Sequence, residues 1–138
     1  MSVHTVKLVR REPVAQSTMA FHFERPAGFA FKAGQAIDVV LPQVLDAAGK
    51  KERHAFSIVS APFEDGIAIA TRMRDSAYKR ALAVLAPGAA VEMHGPFGSL
   101  TLHSDPGRPA VLVAGGIGIT PFISMLRQVA HDRWPRPM

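Results

Sequence analysis

The sequence has no cysteine, which rules out disulfides, thiolate zinc sites and a cysteine-ligated cluster anywhere in its 138 residues. Aromatic surface for stacking bases is scarce, with one Trp and one Tyr, and the basic residues are scattered, so nucleic acid is not an expected partner. No apolar run approaches the length of a membrane span. The N-terminal MSVHTVKLVRREP lacks the apolar centre of a signal peptide, and the expected compartment is the cytoplasm. Acidic residues are in the minority. Sixteen Lys and Arg face 11 Asp and Glu, for a net charge of +5, which favours acidic ligands or acidic protein partners. His4, His22, His94, His103 and His131 show no metal-ligand spacing.

What is present suits one good hydrophobic core: 48% hydrophobic and 20% charged residues. The first half reads as antiparallel β. Residues 3–9, VHTVKLV, alternate until Arg10, Arg11, Glu12 and Pro13 interrupt them. Residues 17–24 place Met19, Phe21 and Phe23 on one face. Residues 26–34, with Phe29 and Phe31 among glycines, and residues 35–41 are also strand-like. Residues 66–73, GIAIATRM, align Ile67, Ile69, Thr71 and Met73. Short strands at this spacing predict a closed barrel or a sandwich, and the apolar runs favour the barrel.

At Asp75 the period changes. Asp75 or Ser76 is a candidate N-cap, and Tyr78, Leu82 and Leu85 share one side of a short helix that Pro87 and Gly88 end. Free N–H groups at a helix start suit a pyrophosphate. Residues 89–94 return to strand, and GPFGSL from Gly95 is a glycine-rich bend that allows close backbone approach. Residues 109–114, PAVLVA, form a continuous apolar run of the parallel-sheet kind. They enter a glycine turn with the spacing G-x-G-x-x-P at Gly116, Gly118 and Pro121, and a helix follows over residues 123–130 with an apolar face of Phe122, Ile123, Leu126 and Val129.

The chain is organised around residues 53–62, RHAFSIVSAP. In a strand His54 and Phe56 point one way and Arg53, Ala55 and Ser57 the other. An isoalloxazine ring needs an apolar plate against its face and a hydrogen-bonding group near N5. A slight twist of the strand can present Phe56 and Ser57 together and supply both, against the plainer alternative of a core strand ending in a Ser-Ala-Pro turn.

Taken in order, RHAFSIVSAP, IATRM, DSAYKRAL, GPFGSL and VLVAGGIGITPF resemble the ferredoxin–NADP⁺ reductase superfamily over nearly the whole chain. The resemblance implies a mainly β fold: an antiparallel Greek-key FAD-binding barrel with one short helix over residues 1–106. The first βα unit of a truncated Rossmann-like NAD(P)-binding domain would follow over residues 107–138. It implies FAD as cofactor, NAD(P)H as electron donor, and a separate iron–sulfur or haem protein as acceptor. By position, Phe56 matches the ring that stacks on the flavin and Ser57 the hydroxyl at N5. Ala70, Thr71 and Arg72 match the strand along the ribityl chain, and Ser76, Ala77, Tyr78 and Lys79 the pyrophosphate-binding helix start. Gly116 and Gly118 match the dinucleotide turn, and Thr120 the threonine near the meeting of flavin and nicotinamide. Ser57 and Thr120 are thus the expected catalytic positions.

Two substitutions depart from the family pattern R-x-[YF]-S and its Gly/Ser helix start. His54 and Ala55 precede Phe56, with arginine displaced to Arg53, and the helix start reads SAYK. The alternative function is a flavin-binding or docking module without turnover. The apolar 109–114 run and the last helix predict self-association or fraying beyond Gly107.

Overall fold

The computed structural model describes residues 2–103, 105 and 107–133. The expected boundary at Pro106 and the Trp134–Pro137 tail lie outside the described residues. The element order is β1 (Ser2–Ala15), β2 (Thr18–Glu24), β3 (Ala36–Leu45), β4 (Lys51–Ser57), β5 (Gly66–Arg72), α1 (Ala77–Ala83), β6 (Ala90–Phe97), a 3₁₀ turn (Gly116–Ile119) and α2 (Thr120–Asp132). The six strands form one antiparallel sheet in the order β4-β3-β6-β1-β2-β5. Its two ends meet just past β4, where Val59 N–H donates to the Ala68 carbonyl at 2.8 Å and Ala68 N–H to Ser60 Oγ at 2.9 Å. Those bonds turn the sheet into the expected barrel and leave neither edge bare at the seam.

Alternate residues fill the barrel. Phe21 and Phe23 of β2, Ile37, Val39 and Leu41 of β3, Ile67 and Ile69 of β5, and Val91 and Met93 of β6 meet in one buried cluster. Tyr78, Leu82 and Leu85 from α1 and the residues after it close one end of that cluster.

β1 does not break at residues 10–13 but runs on to Ala15. Its first half pairs with β6 and its second with β2. The charged residues are accommodated on the surface, where Glu12 Oε1 meets His22 Nε2 at 2.9 Å, and irregular pairing between Pro13 and Ala15 takes up the proline. β6 likewise continues through the expected bend at Gly95, whose φ of +143 and close approach to the Ala36 carbonyl suit glycine alone. The 53–62 run leaves the ladder at Ser57.

Residues 26–34 are not a strand. They form a loop that buries Phe29 and Phe31, and its organiser is Arg25. That guanidinium donates to Phe29 O from Nε and Nη2 at 2.9 and 2.8 Å, and from Nη1 to Pro62 O and Glu64 O at 2.6 and 2.8 Å, while it lies 5.2 Å from the centre of the Phe31 ring. A planar five-donor group can tie two loops together in this way and a strand ladder is then not needed.

Residues 109–114 are not a strand either: Val111 is 85% exposed and Val113 83%. A central parallel strand forms only between neighbours, and no described strand lies beside this one. α2 begins at Thr120 with Pro121 in its first turn, as expected. Its buried residues are Thr120, Pro121, Ser124 and Met125, whereas of the apolar side chains singled out in the sequence Leu126 is exposed and Phe122, Ile123 and Val129 are half-buried. The cause is a close approach to the barrel. Ser124 Oγ donates to Ser60 O at 2.8 Å, Phe63 N–H to Gln128 Oε1 at 3.1 Å, and the His131 ring stacks on Phe63 at 3.8 Å. A small hydroxyl residue meets the carbonyl where a larger aliphatic one would hold the helix off. Among the described residues, no helix is long and apolar enough to cross a membrane.

Arg25→Met strands carbonyl oxygens of two loops, and is expected to lower unfolding free energy by about 2–4 kcal/mol. Urea midpoints of the wild type, Arg25→Met and Arg25→Lys test this. Lysine, which cannot bridge in two directions from a plane, should recover less than half of the loss.

Candidate functional site

The geometry begins with the register of β4 on β3. Ile37 lies opposite Phe56 and Val39 opposite His54. Ile37 and Val39 are wholly buried, so His54 and Phe56 share the inner face, as expected, and Arg53, Ala55 and Ser57 the outer one. Arg53 is held there. Its Nε and Nη2 donate to Asp38 Oδ2 at 3.1 and 2.6 Å, and Nη2 lies 3.3 Å from His94 Nδ1. His54 stays at the rim with Nε2 3.2 Å from Glu52 Oε1.

α1 packs on β3 beside this inner face. Ser76 is its N-cap, accepting from the Lys79 N–H at 3.1 Å. Tyr78 turns inward and is buried, its hydroxyl donating to Val39 O at 2.7 Å. Its ring lies 4.1 Å from that of His54 and is stacked on Phe56 at 6.3 Å. Burial foremost, then the carboxylates of Glu52 and Asp38, push the Tyr78 hydroxyl pKa upward. The Tyr78 side chain is thus committed to the core, with its hydroxyl satisfied there, and the expected part of Tyr78 in the helix start concerns its backbone N–H.

Lys79 reaches back over β5. Its ammonium donates to Thr71 Oγ1 and, at 3.1 Å, to Arg72 O, and it sits 5.5 Å from the centre of the Phe56 ring. Burial, followed by repulsion from Arg74, lowers its pKa from the ordinary lysine value. Among the described residues, Lys79, Arg72 and Arg74 form no ion pair, in contrast with Arg80, whose guanidinium meets Asp75. Sequence reasoning found Lys79 but not its contact with Phe56. No residue spacing announces a lysine folding back eight positions onto its own preceding strand.

The structure thus gathers His54, Phe56, Thr71, Arg72, Tyr78 and Lys79 into one cluster, with Ala70 half-buried on β5 and Ser57 half-buried at the end of β4. Gly116, Gly118 and Thr120 stand apart from it, and among the described residues no hydrogen bond joins them to it. The turn that carries the glycines packs against β5. Gly116 has a left-handed φ of +56, and a Cβ added at Gly115, Gly116 or Gly118 would meet open space, so the turn's backbone can be approached by a ligand. Thr120 is buried at the head of α2. Two cavities lie elsewhere: one of about 470 Å³ between Phe31, Pro62, Leu102 and Met125, and one of about 330 Å³ beside Arg10, His22, Ser60 and Arg127. Neither is lined by the cluster, a shelf in which Phe56, Thr71 and Tyr78 are buried and Lys79 is half-buried.

No family model matches the chain. Ferredoxin–NADP reductase B of Sorangium cellulosum (strain So ce56) is 40% identical over 130 residues, which cover 88% of this chain and 50% of that protein. Among solved structures, the flavohemoglobin from Malassezia yamatoensis with bound FAD and heme superposes with a TM-score of 0.81 at 26% identity, over 99% of this chain and 36% of that one. Phthalate dioxygenase reductase gives 0.77 at 27%, over 98% and 41%. The chain therefore spans half or less of the length of each. The barrel, its short capping helix and the glycine turn leading into α2 match the fold of a ferredoxin reductase-like FAD-binding barrel with a short α/β start. In sequence and in fold the chain is similar to the ferredoxin–NADP⁺ reductase superfamily.

The Tyr78 hydroxyl gives a test in alkali. An acid whose pKa is raised by folding contributes stability that is complete below its unfolded value, about 10, and is lost as pH rises above it. Between pH 9 and pH 11 the urea midpoint of the wild type is expected to fall more than that of Tyr78→Phe. At pH 8 the variant should be the less stable by about 1 kcal/mol, from the lost bond to Val39 O. Parallel pH profiles would remove Tyr78 from this role.

Proposed function

We propose that the chain is the flavin-bearing part of an NAD(P)H-dependent oxidoreductase that passes electrons to a separate acidic redox protein. The observation that carries this is the shelf itself. A buried aromatic plate at Phe56 adjoins Ser57 in the chain, with the Lys79 ammonium 5.5 Å from the ring centre and Arg74 near enough to repel that ammonium, and among the described residues Lys79, Arg72 and Arg74 have no carboxylate partner. Such a donor set fits a planar ring joined to a pyrophosphate. The relatives support the reading, since FAD is bound in the flavohemoglobin and the reductase from Neisseria gonorrhoeae carries FAD and NADP. FAD, when bound, accepts hydride at N5 and releases electrons singly.

The residues of this chain supply position and charge. Phe56 supports the ring from the barrel side, Ser57, the last residue of β4 where the chain leaves the ladder, turns its hydroxyl to the N5 edge, and residues 70–72 follow the ribityl chain. Lys79, with the free N–H groups of Ala77 and Tyr78, faces the phosphates, and His54 lines the rim. Arg53 is not part of the grip, because Asp38 holds it on the other face. The open backbone at Gly116 and Gly118 receives the dinucleotide, and Thr120 lies at the flavin–nicotinamide junction. In this reading the barrel domain ends near residue 106 and the nucleotide-binding unit begins at 107. The net charge of +5 supports an acidic electron-transfer partner.

The exposure of Val111 and Val113 favours a second reading, in which the chain binds flavin, turns over nucleotide poorly and associates with itself. Quenching of FAD fluorescence on titration with the full chain tests the first reading, and unchanged fluorescence would remove it. Ser57→Ala should slow flavin reduction by NADH or NADPH about tenfold or more while FAD affinity shifts by less than about threefold, since only a contact to the reacting atom is lost. Equal losses would make Ser57 structural. Light scattering should show a dimer that Val111→Asp returns to monomer. A monomeric wild type, reduced rapidly at low nucleotide, would refute the second reading.

A further inference from the structure

Phe56 cannot stack a flavin as it stands. The residue is 8% exposed, so its ring has no free face of the size an isoalloxazine needs. Its contacts among the cluster residues are the Tyr78 ring, stacked at 6.3 Å, and the Lys79 ammonium, 5.5 Å from the ring centre. One of these must withdraw before a planar ligand can lie against Phe56.

The two are not equally free to go. Tyr78 is 1% exposed, belongs to the core cluster and is anchored by its hydroxyl to the main chain of β3. Moving it would open the core and leave a buried carbonyl unpaired, a cost of several kcal/mol by the usual values for cavities and lost hydrogen bonds. Lys79 is only half-buried and is held by neutral groups: the Thr71 hydroxyl, the Arg72 carbonyl and the face of Phe56. It has four rotatable bonds. Burial and the nearby Arg74 already work against its charge where it sits. An anion at the edge of the shelf offers that ammonium a better partner than any it has, because a charge-assisted bond to phosphate is about twice as strong as a neutral one.

We infer that Lys79 is a latch. It covers Phe56 until the phosphates of the cofactor draw its ammonium aside, so that one side chain both uncovers the ring and grips the phosphate. The inference rests on the flavin reading above and adds to it a selection rule: a flavin with phosphate opens the site, and one without must displace the lysine and gains nothing from doing so. FAD is therefore preferred to riboflavin by more than its extra contacts.

The test uses the full chain titrated with FAD and with riboflavin, followed by flavin fluorescence. In Lys79→Met the latch and the phosphate partner vanish together, and the two flavins are expected to move in opposite directions. FAD affinity should fall about tenfold, as for a lost charge-assisted bond, and riboflavin affinity should rise about fivefold or more. Thr71→Val removes the anchoring hydroxyl but keeps the cation, so riboflavin should bind more tightly than in the wild type and FAD should lose less affinity than in Lys79→Met. In the wild type, the Lys79 ε-methylene protons should show an upfield ring-current shift from Phe56 that inorganic pyrophosphate abolishes.

Parallel loss of both flavins in Lys79→Met, in a variant that keeps its thermal transition, would reduce Lys79 to a structural residue and overturn the latch. Riboflavin affinity unchanged in both variants would overturn it too, leaving Lys79 as a phosphate contact alone and the flavin reading intact. If wild type and variants bind neither flavin, both readings fall. Riboflavin binding seen in Lys79→Met but not in wild type would support the latch most directly.

Discussion

The structure depends on the two-residue period of β4 held against β3. Once Ile37 faces Phe56 and Val39 faces His54, every side chain from residue 51 to 57 is assigned to one side of the barrel wall. A slip by one residue would bring Arg53 and Ser57 inward and send Phe56 to solvent, so the buried faces of β3 specify the site as firmly as the core. The barrel seam reinforces this. Val59 and Ser60 pair with Ala68 directly after the strand, which holds the exit of β4 next to β5 and therefore Phe56 near Thr71.

α1 converts that wall into a shelf. A seven-residue helix is too short to be stable on propensity alone. It persists because Ser76 caps one end and because Tyr78 and Leu82 are sunk into the core. Tyr78 does two things at once: it fills the open end of the barrel and satisfies a β3 carbonyl. Its immediate neighbour Lys79 is thereby aimed across β5 towards Phe56. Core packing by one residue thus fixes the position of a charge carried by the next.

The sequence made these parts visible to different degrees, for physical reasons. Strands with one buried face were readable because burial imposes alternation, as in Phe21 and Phe23 or Ile67 and Ile69. The helix start was readable because Ser76 has a local partner three residues on. What escaped were arrangements set by distant partners. Arg25 organises loops 37 and 39 positions away in sequence, so Phe29 and Phe31 looked like strand residues although a side chain, and not a ladder, holds them. The seating of α2 on Ser124 was not legible, because hydropathy singles out Leu126, whereas the distance of approach to Ser60 decides which side packs. Residues 109–114 have the composition of a central strand, but pairing is a property of neighbours and not of the segment.

The displacement of arginine from the second position before Phe56 to the third has a consequence beyond the loss of a guanidinium. Position 53 lies on the outer face, where Asp38 and His94 engage it, so the positive charge is removed from the shelf altogether. Meanwhile the helix start gains a lysine where the family pattern has a hydroxyl residue. If the helix start is the phosphate end, as proposed, its cation has in effect been moved from a rigid strand to the end of a flexible chain. A guanidinium on a strand is fixed before the ligand arrives and stands clear of the aromatic plate. An ammonium on a four-carbon stem is free to bind elsewhere first, and here the nearest electron-rich surface is the plate itself. On the proposed flavin reading, the change of residue exchanges a preorganised site for one in which phosphate recognition and access to the ring share a single side chain.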